Sequence, residues 1–351
     1  MKHFGIEVAQ ETDITNLTMP SGTSFPANDN VGELFYRTDL DTMYTRNNSS
    51  WSANTPANTN LLINSDFGVW QRGTIFSISG TAEYTTDRFL AARNSSVGGM
   101  TVSRQAGDTS TYAIKMQRDL GNTATENVNL NYYIETTDVK ALRGKNLVCK
   151  LRIKGGANLS DSTVDVNLSS SSATDSTVSK NSSGNISSGQ PDYTSTTHNA
   201  TITSSFEDYE FDFGVVAATA NVINIRIKFS PTGTAGADDS ITIDRVQLEI
   251  GNIASDFEHR PFGQETMLCQ RFYYAGSNLS MSLRDPNALR EMVLTQYRPV
   301  NMRVIPTETF TYNSPVVGDS TNPTQLRIQV KAESVDDTER SIISYTADAE
   351  I

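Results

Sequence analysis

The sequence is poor in cysteine and in long apolar runs, and each shortage removes a class of protein. Its two cysteines, Cys149 and Cys269, form no Cys-x-x-Cys pair. Cys149 lies in NLVCKLRIKG, where apolar and polar residues alternate, so we expect a buried free thiol. No apolar run approaches the ~18 residues that cross a bilayer, and the first residues, MKHFGIEVAQETD, lack the apolar region of a signal peptide. We therefore expect a protein that is made in a cytoplasm and stays soluble.

Positive charge is also scarce. The chain has 28 Lys and Arg against 40 Asp and Glu, a formal net charge of −12. Nucleic acids are bound by a basic face, so we expect no nucleic-acid partner. The same charge repels an anionic membrane or a polyanionic glycan unless a local patch overrides it.

Catalytic motifs are missing as well. The sequence has no HExxH, GxSxG, P-loop or GxGxxG motif, and its three histidines, His3, His198 and His259, lie far apart. Its many carboxylates include no recognisable catalytic pair, although a glycosidase pair, ~5–10 Å apart in space, cannot be read from a β-rich sequence. We expect no enzyme and no catalytic residue, with a glycan depolymerase as an alternative.

What the sequence has is short-period alternation. Hydrophobic residues make up 37% and charged residues 19%, below the usual ~45–50% and ~25%, and Ser, Thr and Asn fill the difference. Apolar and polar residues alternate in many short runs, among them TYAIKMQR, STVDVNLS, DYEFDFG, NVINIRIKFS and ITIDRVQLEIG. Strands with one apolar face bury it best in two packed sheets. We therefore predict an all-β protein with a central jelly-roll β-sandwich.

The alternation also divides the chain. Residues 1–58 hold a hairpin, GELFYRTD with LDTMYTR, that is too small to be stable alone and must pack on something. Residues 59–262 form the predicted sandwich, and LLINSDFGVWQRG is its expected first strand. Residues 263–351 are predicted to be a small antiparallel β domain that begins with one or two helical turns within 264–271. The polar run 169–190 is predicted to be a long exposed loop, with a short edge strand near Thr177 and Val178.

Several segments resemble proteins of tailed bacteriophages. The resemblance is to tail fibre and other appendage proteins, and it rests on LLINSDFGVWQRG followed by YTTDRF and above all on ITIDRVQLEIGNIASDFEHRPFGQETMLCQRFYY. Further parts of these proteins are similar to GELFYRTDLDTMYTRNNSSW, RPVNMRVIPT and YTADAEI. The resemblance implies a carbohydrate-binding-module-like jelly roll in a structural virion protein made in the cytoplasm of the host bacterium. It also implies a homotrimer on the virion, attached to other virion proteins through residues 1–58 and meeting a bacterial surface glycan, without membrane insertion. A purely structural tail adaptor, head fibre or capsid decoration protein remains the alternative.

The aromatic residues supply the candidate ligand-binding positions. Leu62 is expected to insert between the sheets together with Phe67 or Trp70. A structural role is expected for Trp70; if it is exposed instead, it is a platform for sugar stacking. Tyr132, Tyr133 and Tyr193 are candidates for glycan binding, with a core or interface role as the alternative.

No cofactor is required by the sequence, but a structural calcium ion is a hypothesis. The resemblance implies that jelly-roll carbohydrate modules hold such an ion between their first and last strands, where Asn64, Asp66 and Asp244 would supply the oxygen ligands that calcium prefers. The alternative is that Asp66 caps a turn and that Asp244 pairs with Arg88 or Arg245.

Overall fold

The structure is a computed structural model in which the described part of the chain is nearly all β. It describes residues 19–27, 30–38, 42–46, 51–53, 60–80, 82–93, 99–282, 291–297, 299–312, 317–322, 325–331 and 339–351. Within these ranges the chain forms strands in five sheets and two short helices. The all-β prediction is confirmed.

The N-terminal part is a small sheet held by aromatic rings. Its strands, in the order β1-β2-β3-β4, are β1 (Ser21–Gly22), β2 (Leu34–Arg37), β3 (Thr42–Arg46) and β4 (Trp51–Ala53). Strands β2 and β3 pair antiparallel, as the hairpin prediction requires, and residues 39–41 between them lie outside the described residues. Phe25 stacks on Trp51 with ring centroids 5.1 Å apart and also contacts Phe35 and Tyr44.

The central part is a sandwich of two six-stranded sheets. Its elements are β5 (Ile75–Ile78), β6 (Glu83–Tyr84), β7 (Phe89–Arg93), β8 (Met100–Ala106), β9 (Tyr112–Arg118), β10 (Val128–Ile134), α1 (Thr136–Leu142), β11 (Asn146–Gly155), β12 (Thr163–Ser171), β13 (Thr194–Thr201), β14 (Glu207–Val215), β15 (Val222–Phe229) and β16 (Ser240–Ile250). Sheet one has the order β13-β12-β15-β10-β7-β6, and sheet two has the order β14-β11-β16-β9-β8-β5. Neighbouring strands pair antiparallel, which confirms the predicted sandwich. Helix α1 was not predicted.

The core lies between these sheets and follows the alternation in the sequence. Leu130 and Ile225 of sheet one meet Ile114 and Ile243 of sheet two, and all four are at most 3% exposed. Burying each such side chain stabilises the fold by about 1.5–3 kcal/mol. Cys149 lies in the same core as the predicted free thiol, where burial raises its pKa.

The segment LLINSDFGVWQRG differs from the prediction, because it is a series of turns and not a strand. Asn64 and Phe67 have φ angles of 59° and 53°, in the left-handed region that strands exclude. Leu62 and Phe67 nevertheless reach the core as expected, with no exposed surface, and the chain turns at Gln71 and Arg72.

The polar run 169–190 also differs from the prediction. Much of it lies against the outer face of sheet one, where Ile186 is 1% exposed and the hydroxyl of Tyr133 donates a hydrogen bond to the carbonyl of Gly184. Residues 169–171 are the end of β12, and beyond them the extended pairing of the run is a single bridge between Lys180 and Ile186. Thr177, in the predicted edge strand, lies in a turn. The outer face of sheet one carries apolar side chains that need cover, and this run provides it.

The C-terminal part is β-rich as predicted and begins with helix α2 (Phe262–Gln270), close to the predicted helical turns. Its strands are β17 (Tyr273–Ser282), β18 (Glu291–Tyr297), β19 (Thr307–Tyr312), β20 (Val317–Asn322), β21 (Gln325–Lys331) and β22 (Glu339–Asp348). They form two three-stranded sheets, in the orders β17-β22-β19 and β18-β21-β20. Among the described residues, no helix is long and apolar enough to cross a membrane. The boundaries at 58 and 262 stay predictions.

Residues 348–351, here called the C-terminal tail, return to the sandwich. Arg88 forms an ion pair with Glu350, and an Arg72 nitrogen lies 3.1 Å from Asp348. The hydroxyl of Tyr84 donates a 3.0 Å hydrogen bond to the carbonyl of Ile351. The arginines of QRG and DRF, two motifs behind the phage resemblance, therefore anchor the tail.

Candidate functional site

An open cavity of about 560 Å³ lies at one end of the sandwich. Three separate parts of the chain build it: the turns after Asn64, the ends of strands β8 and β9, and the start of α2. Its lining residues are Asp66, Gly68, Val69, Trp70, Gln71, Arg104, Thr111, Tyr112, His259, Arg260, Phe262, Glu265 and Thr266, and the cavity is called the cleft below.

Three aromatic side chains line the cleft. Trp70 is half-buried; its indole N–H donates a 2.6 Å hydrogen bond to the carbonyl of Phe67, which fixes the ring. Trp70 packs against the core and also lines the cleft, so both roles considered for it are compatible with its position. Tyr112 is partly exposed, and Phe262, the first residue of α2, is 65% exposed.

Strand alternation brings Arg104 and Tyr112 into the cleft. Val102 lies two residues before Arg104, Ile114 lies two residues after Tyr112, and both are fully buried in the core. Because side chains two apart on a strand share a face, Arg104 and Tyr112 lie on the same sheet face where it extends past the core. The Arg104 guanidinium lies 4.3 Å from the centroid of the Tyr112 ring. In the described part of the chain, no carboxylate lies within ion-pair distance of Arg104.

Two carboxylates contribute to the cleft in different ways. Asp66 accepts a hydrogen bond from the Gly68 N–H at 3.2 Å, and its other oxygen lies 3.6 Å from Nδ1 of the exposed His259. Glu265 is buried; it accepts the Asn64 N–H and lies 3.4 Å from Arg260. Burial raises the pKa of Glu265. Asp66 thus faces the cleft, whereas Glu265 and Arg260 tie α2 to the sandwich.

The three tyrosines predicted to bind a ligand lie elsewhere. Tyr132 is 1% exposed, and its hydroxyl accepts the Ile63 N–H at 2.8 Å. Tyr133, also 1% exposed, contacts the covering run described above, and Tyr193 is partly buried beside it. None of the three lines the cleft, and Tyr132 and Tyr133 present no open ring face in this conformation.

The predicted calcium ligands each have other partners. The amide of Asn64 donates to the Val69 carbonyl, the Thr86 hydroxyl and the Asp87 carbonyl, while its oxygen accepts the Val69 N–H at 2.8 Å. Asp244 is fully buried and accepts the N–H groups of the turn between β8 and β9, including that of Asp108 at 2.7 Å.

Neither alternative for Asp244 describes its contacts, because the nearest cation is Arg152, 3.9 Å away. Asp66 does cap a turn, through Gly68. Among the described residues, no group of three or more His, Cys, Asp or Glu side chains suits a metal ion. The calcium site stays a prediction.

Sequence reasoning named Trp70 but missed Arg104, Tyr112 and Phe262 as site residues. The available signal was local for two of them: Arg104 and Tyr112 lie on either side of the short polar segment AGDTST, which is typical of a turn. Phe262 carried no comparable signal, because its place in the cleft depends on how α2 returns to the sandwich.

No family model matches the chain, and no curated protein matches it. Among solved structures, the enzymatically active domain of tailspike protein 4 from bacteriophage CBA120 is similar at 11% identity and a TM-score of 0.30, over 46% of this chain and 19% of that one. TmCBM61 in complex with beta-1,4-galactotriose matches at 13% identity and a TM-score of 0.30, over 55% and 99%. The C-terminal family 22 carbohydrate-binding module of Clostridium thermocellum Xyn10B matches at 9% identity and a TM-score of 0.32, over 57% and 99%. These likenesses are remote, and they decide neither ligand nor activity.

Proposed function

We propose that this chain is a non-catalytic glycan-binding protein and that the cleft is its binding site. One observation carries the proposal: three partly exposed aromatic rings and several polar side chains line a single open cavity. Sugar rings stack their apolar faces on aromatic rings, and their hydroxyl groups bond to planar polar side chains. Trp70, Tyr112 and Phe262 provide the first kind of contact. Asp66 and the side-chain oxygen of Gln71 provide the second, since the Gln71 amide nitrogen already donates to Asp87 and Tyr273.

The size and support of the cleft agree with this function. Its volume of about 560 Å³ lies within the ~300–1,000 Å³ of small-ligand sites. The indole of Trp70 is held by its hydrogen bond, and the Tyr112 ring contacts the Arg104 guanidinium, so little side-chain entropy would be lost on binding.

A glycan depolymerase is the second candidate function. The observation that favours it is that Asp66 and Glu265 line the same cleft and that burial raises the pKa of Glu265, as a general acid requires. We prefer binding because Glu265 already accepts the Asn64 N–H and contacts Arg260. Release of reducing ends from a bacterial polysaccharide, abolished by Glu265→Gln, would reverse this preference.

We further propose that the chain is a tail fibre or similar virion appendage, which displays the cleft to a bacterial surface as a homotrimer. It is supported by the sequence resemblance of the QRG and DRF segments, whose arginines hold the C-terminal tail. Several copies on one particle would make weak single sites sufficient. Imaging virions that carry a labelled copy tests this proposal, and a label on the capsid would favour a head fibre or decoration protein.

Binding of the purified full chain to a panel of bacterial surface polysaccharides tests the cleft itself. Phe262→Ala removes an exposed ring without opening the core, and we expect it to lower affinity about tenfold. Tyr193→Ala removes a partly buried ring outside the cleft and tests the earlier tyrosine hypothesis with the same assay. Loss of binding in Tyr193→Ala with normal binding in Phe262→Ala would contradict the cleft proposal, and so would absence of binding to every glycan in the panel.

A further inference from the structure

We propose that the cleft selects an acidic sugar and that Arg104 binds its carboxylate. This inference rests on the proposed glycan-binding function and names the class of ligand.

Most described arginines have their charge satisfied within the protein. Ion pairs with carboxylates are formed by Arg72, Arg88, Arg118, Arg152, Arg245, Arg260, Arg271 and Arg303. Arg93 and Arg143 donate to backbone carbonyls. Arg104 is exposed, lines the cleft, and has no carboxylate partner in the part of the chain that the structure describes.

Arg104 is nonetheless held in place. Its guanidinium carbon lies 4.3 Å from the centroid of the Tyr112 ring, a cation–π contact that occupies one face of the group and leaves the N–H edges open. The planar edge of a guanidinium matches the two oxygens of a carboxylate. A side chain that is already oriented loses less entropy when it binds, so Arg104 is prepared for a bidentate partner.

The other charges of the cleft do not neutralise Arg104. Glu265 lies 3.4 Å from Arg260, so these two charges offset each other. Asp66 lies 3.6 Å from Nδ1 of His259 and forms no ion pair with Arg104. The lining of the cleft is therefore balanced, with Arg104 and Arg260 against Asp66 and Glu265, unlike the whole chain with its net charge of −12. Arg104 lies there beside aromatic rings without an ion-pair partner among the described residues.

A ligand that satisfies these groups carries a sugar ring and a carboxylate together, as a uronic acid does. The ring stacks in the cleft while the carboxylate accepts the Arg104 N–H groups. Sulfate and phosphate esters share the negative charge, and they differ from a carboxylate in the shape of the anionic group.

The test compares a galacturonate trisaccharide with its methyl ester, which keeps the rings and removes the charge. Binding of each to the full chain is measured by calorimetry at low salt. We expect the acid to bind at least about tenfold more tightly than the ester, because charge-assisted hydrogen bonds are the stronger kind. The preference should decrease as salt is added.

Arg104→Gln should remove the preference for the acid and leave the affinity for the ester within about twofold, because the aromatic rings remain. Arg104→Lys should keep part of the preference, since it retains the charge without the planar edge. Lys154→Gln is the matched control: it removes one positive charge from a different cavity, which Lys154 lines with Lys115 and Asp238, and it should leave the preference intact.

Any of four outcomes overturns the inference. The first two are a wild-type chain that binds acid and ester equally and one that binds neither; the third is an equal loss of preference in Arg104→Gln and Lys154→Gln. Failure of acid selection can be distinguished from failure of the proposed function. If the chain binds the ester and Phe262→Ala abolishes that binding, the cleft is still a glycan site. Displacement of the acid by an equal concentration of inorganic sulfate would show a general anion site and would also contradict selection of an acidic sugar.

Discussion

Arg88 and Glu350 form an ion pair although 262 positions separate them in the chain. Their side chains are 2% and 3% exposed, so the pair is screened from water. Arg88 also donates to the Tyr133 carbonyl at 2.7 Å and lies 3.5 Å from the centroid of the Phe272 ring. The tail is thus joined to sheet one through a buried charge whose partner cannot be removed without cost.

Glu350→Gln is expected to lower the free energy of unfolding by about 3–5 kcal/mol, because it leaves the Arg88 charge buried without a counter-ion. Urea denaturation measures this change. Glu83→Gln is the control, since Glu83 is exposed in the short strand β6. A change of less than about 0.5 kcal/mol in Glu350→Gln would show that water reaches Arg88.

Asp87 makes stability depend on pH. Burial raises the pKa of its carboxyl to about 6 from an ordinary value of 3.8. Between these values the folded chain keeps a proton that the unfolded chain has released, so its contribution to stability falls as pH rises through about 6. The full difference amounts to about 3 kcal/mol.

Asp87→Asn should remove this contribution. Denaturation of the wild type and of Asp87→Asn at several pH values gives the difference between their free energies of unfolding. The contributions of the other titrating groups cancel in this difference. We expect the wild type to lose more stability than the variant as the pH rises across this range. Parallel curves would place the pKa of Asp87 near its ordinary value.

Asn64→Asp should lower the free energy of unfolding by about 2–5 kcal/mol, because each buried acceptor that loses its donor is costly. The substitution preserves shape but replaces the amide that donates to Val69, Thr86 and Asp87. Asn199→Asp makes the same chemical change at an exposed position and should have little effect. Thermal unfolding of both variants checks the prediction, and equal midpoints would contradict it.

The calcium hypothesis is tested by removing divalent ions. If Asn64, Asp66 and Asp244 hold an ion, EDTA should lower the Tm of the full chain, and added Ca²⁺ should restore it. Asp66→Asn should abolish the response to Ca²⁺. An EDTA-treated chain that melts at the same temperature would contradict the hypothesis and leave the hydrogen bonds of Asn64 and Asp244 as their role.

The sandwich could be predicted from the sequence because period-two alternation is a local signal. Ile114 and Met116 lie in the core as the alternation of TYAIKMQR requires. The turns at Asn64 and Phe67 could not be predicted in this way. Their positive φ angles leave no mark on the composition of this apolar segment, which is the same as that of a strand.

Of the cleft, the sequence showed Trp70 with two alternative roles. The other cleft residues could not be predicted, because they are far from Trp70 in the sequence. Trp70, Arg104 and Phe262 come from three segments that the order of strands and the return of α2 bring together. Tyr132 and Tyr133 show the opposite case, since the composition of β10 did not reveal that both faces of this strand are covered.

The central place of β16 in sheet two determines when the chain can fold during translation. This strand lies between β9 and β11, and it is made after both of them. Until its last residue, Ile250, leaves the ribosome, β9 and β11 each present an unpaired edge to other chains. We therefore expect a nascent or prematurely terminated chain that stops before β16 to be prone to aggregation and to need a chaperone.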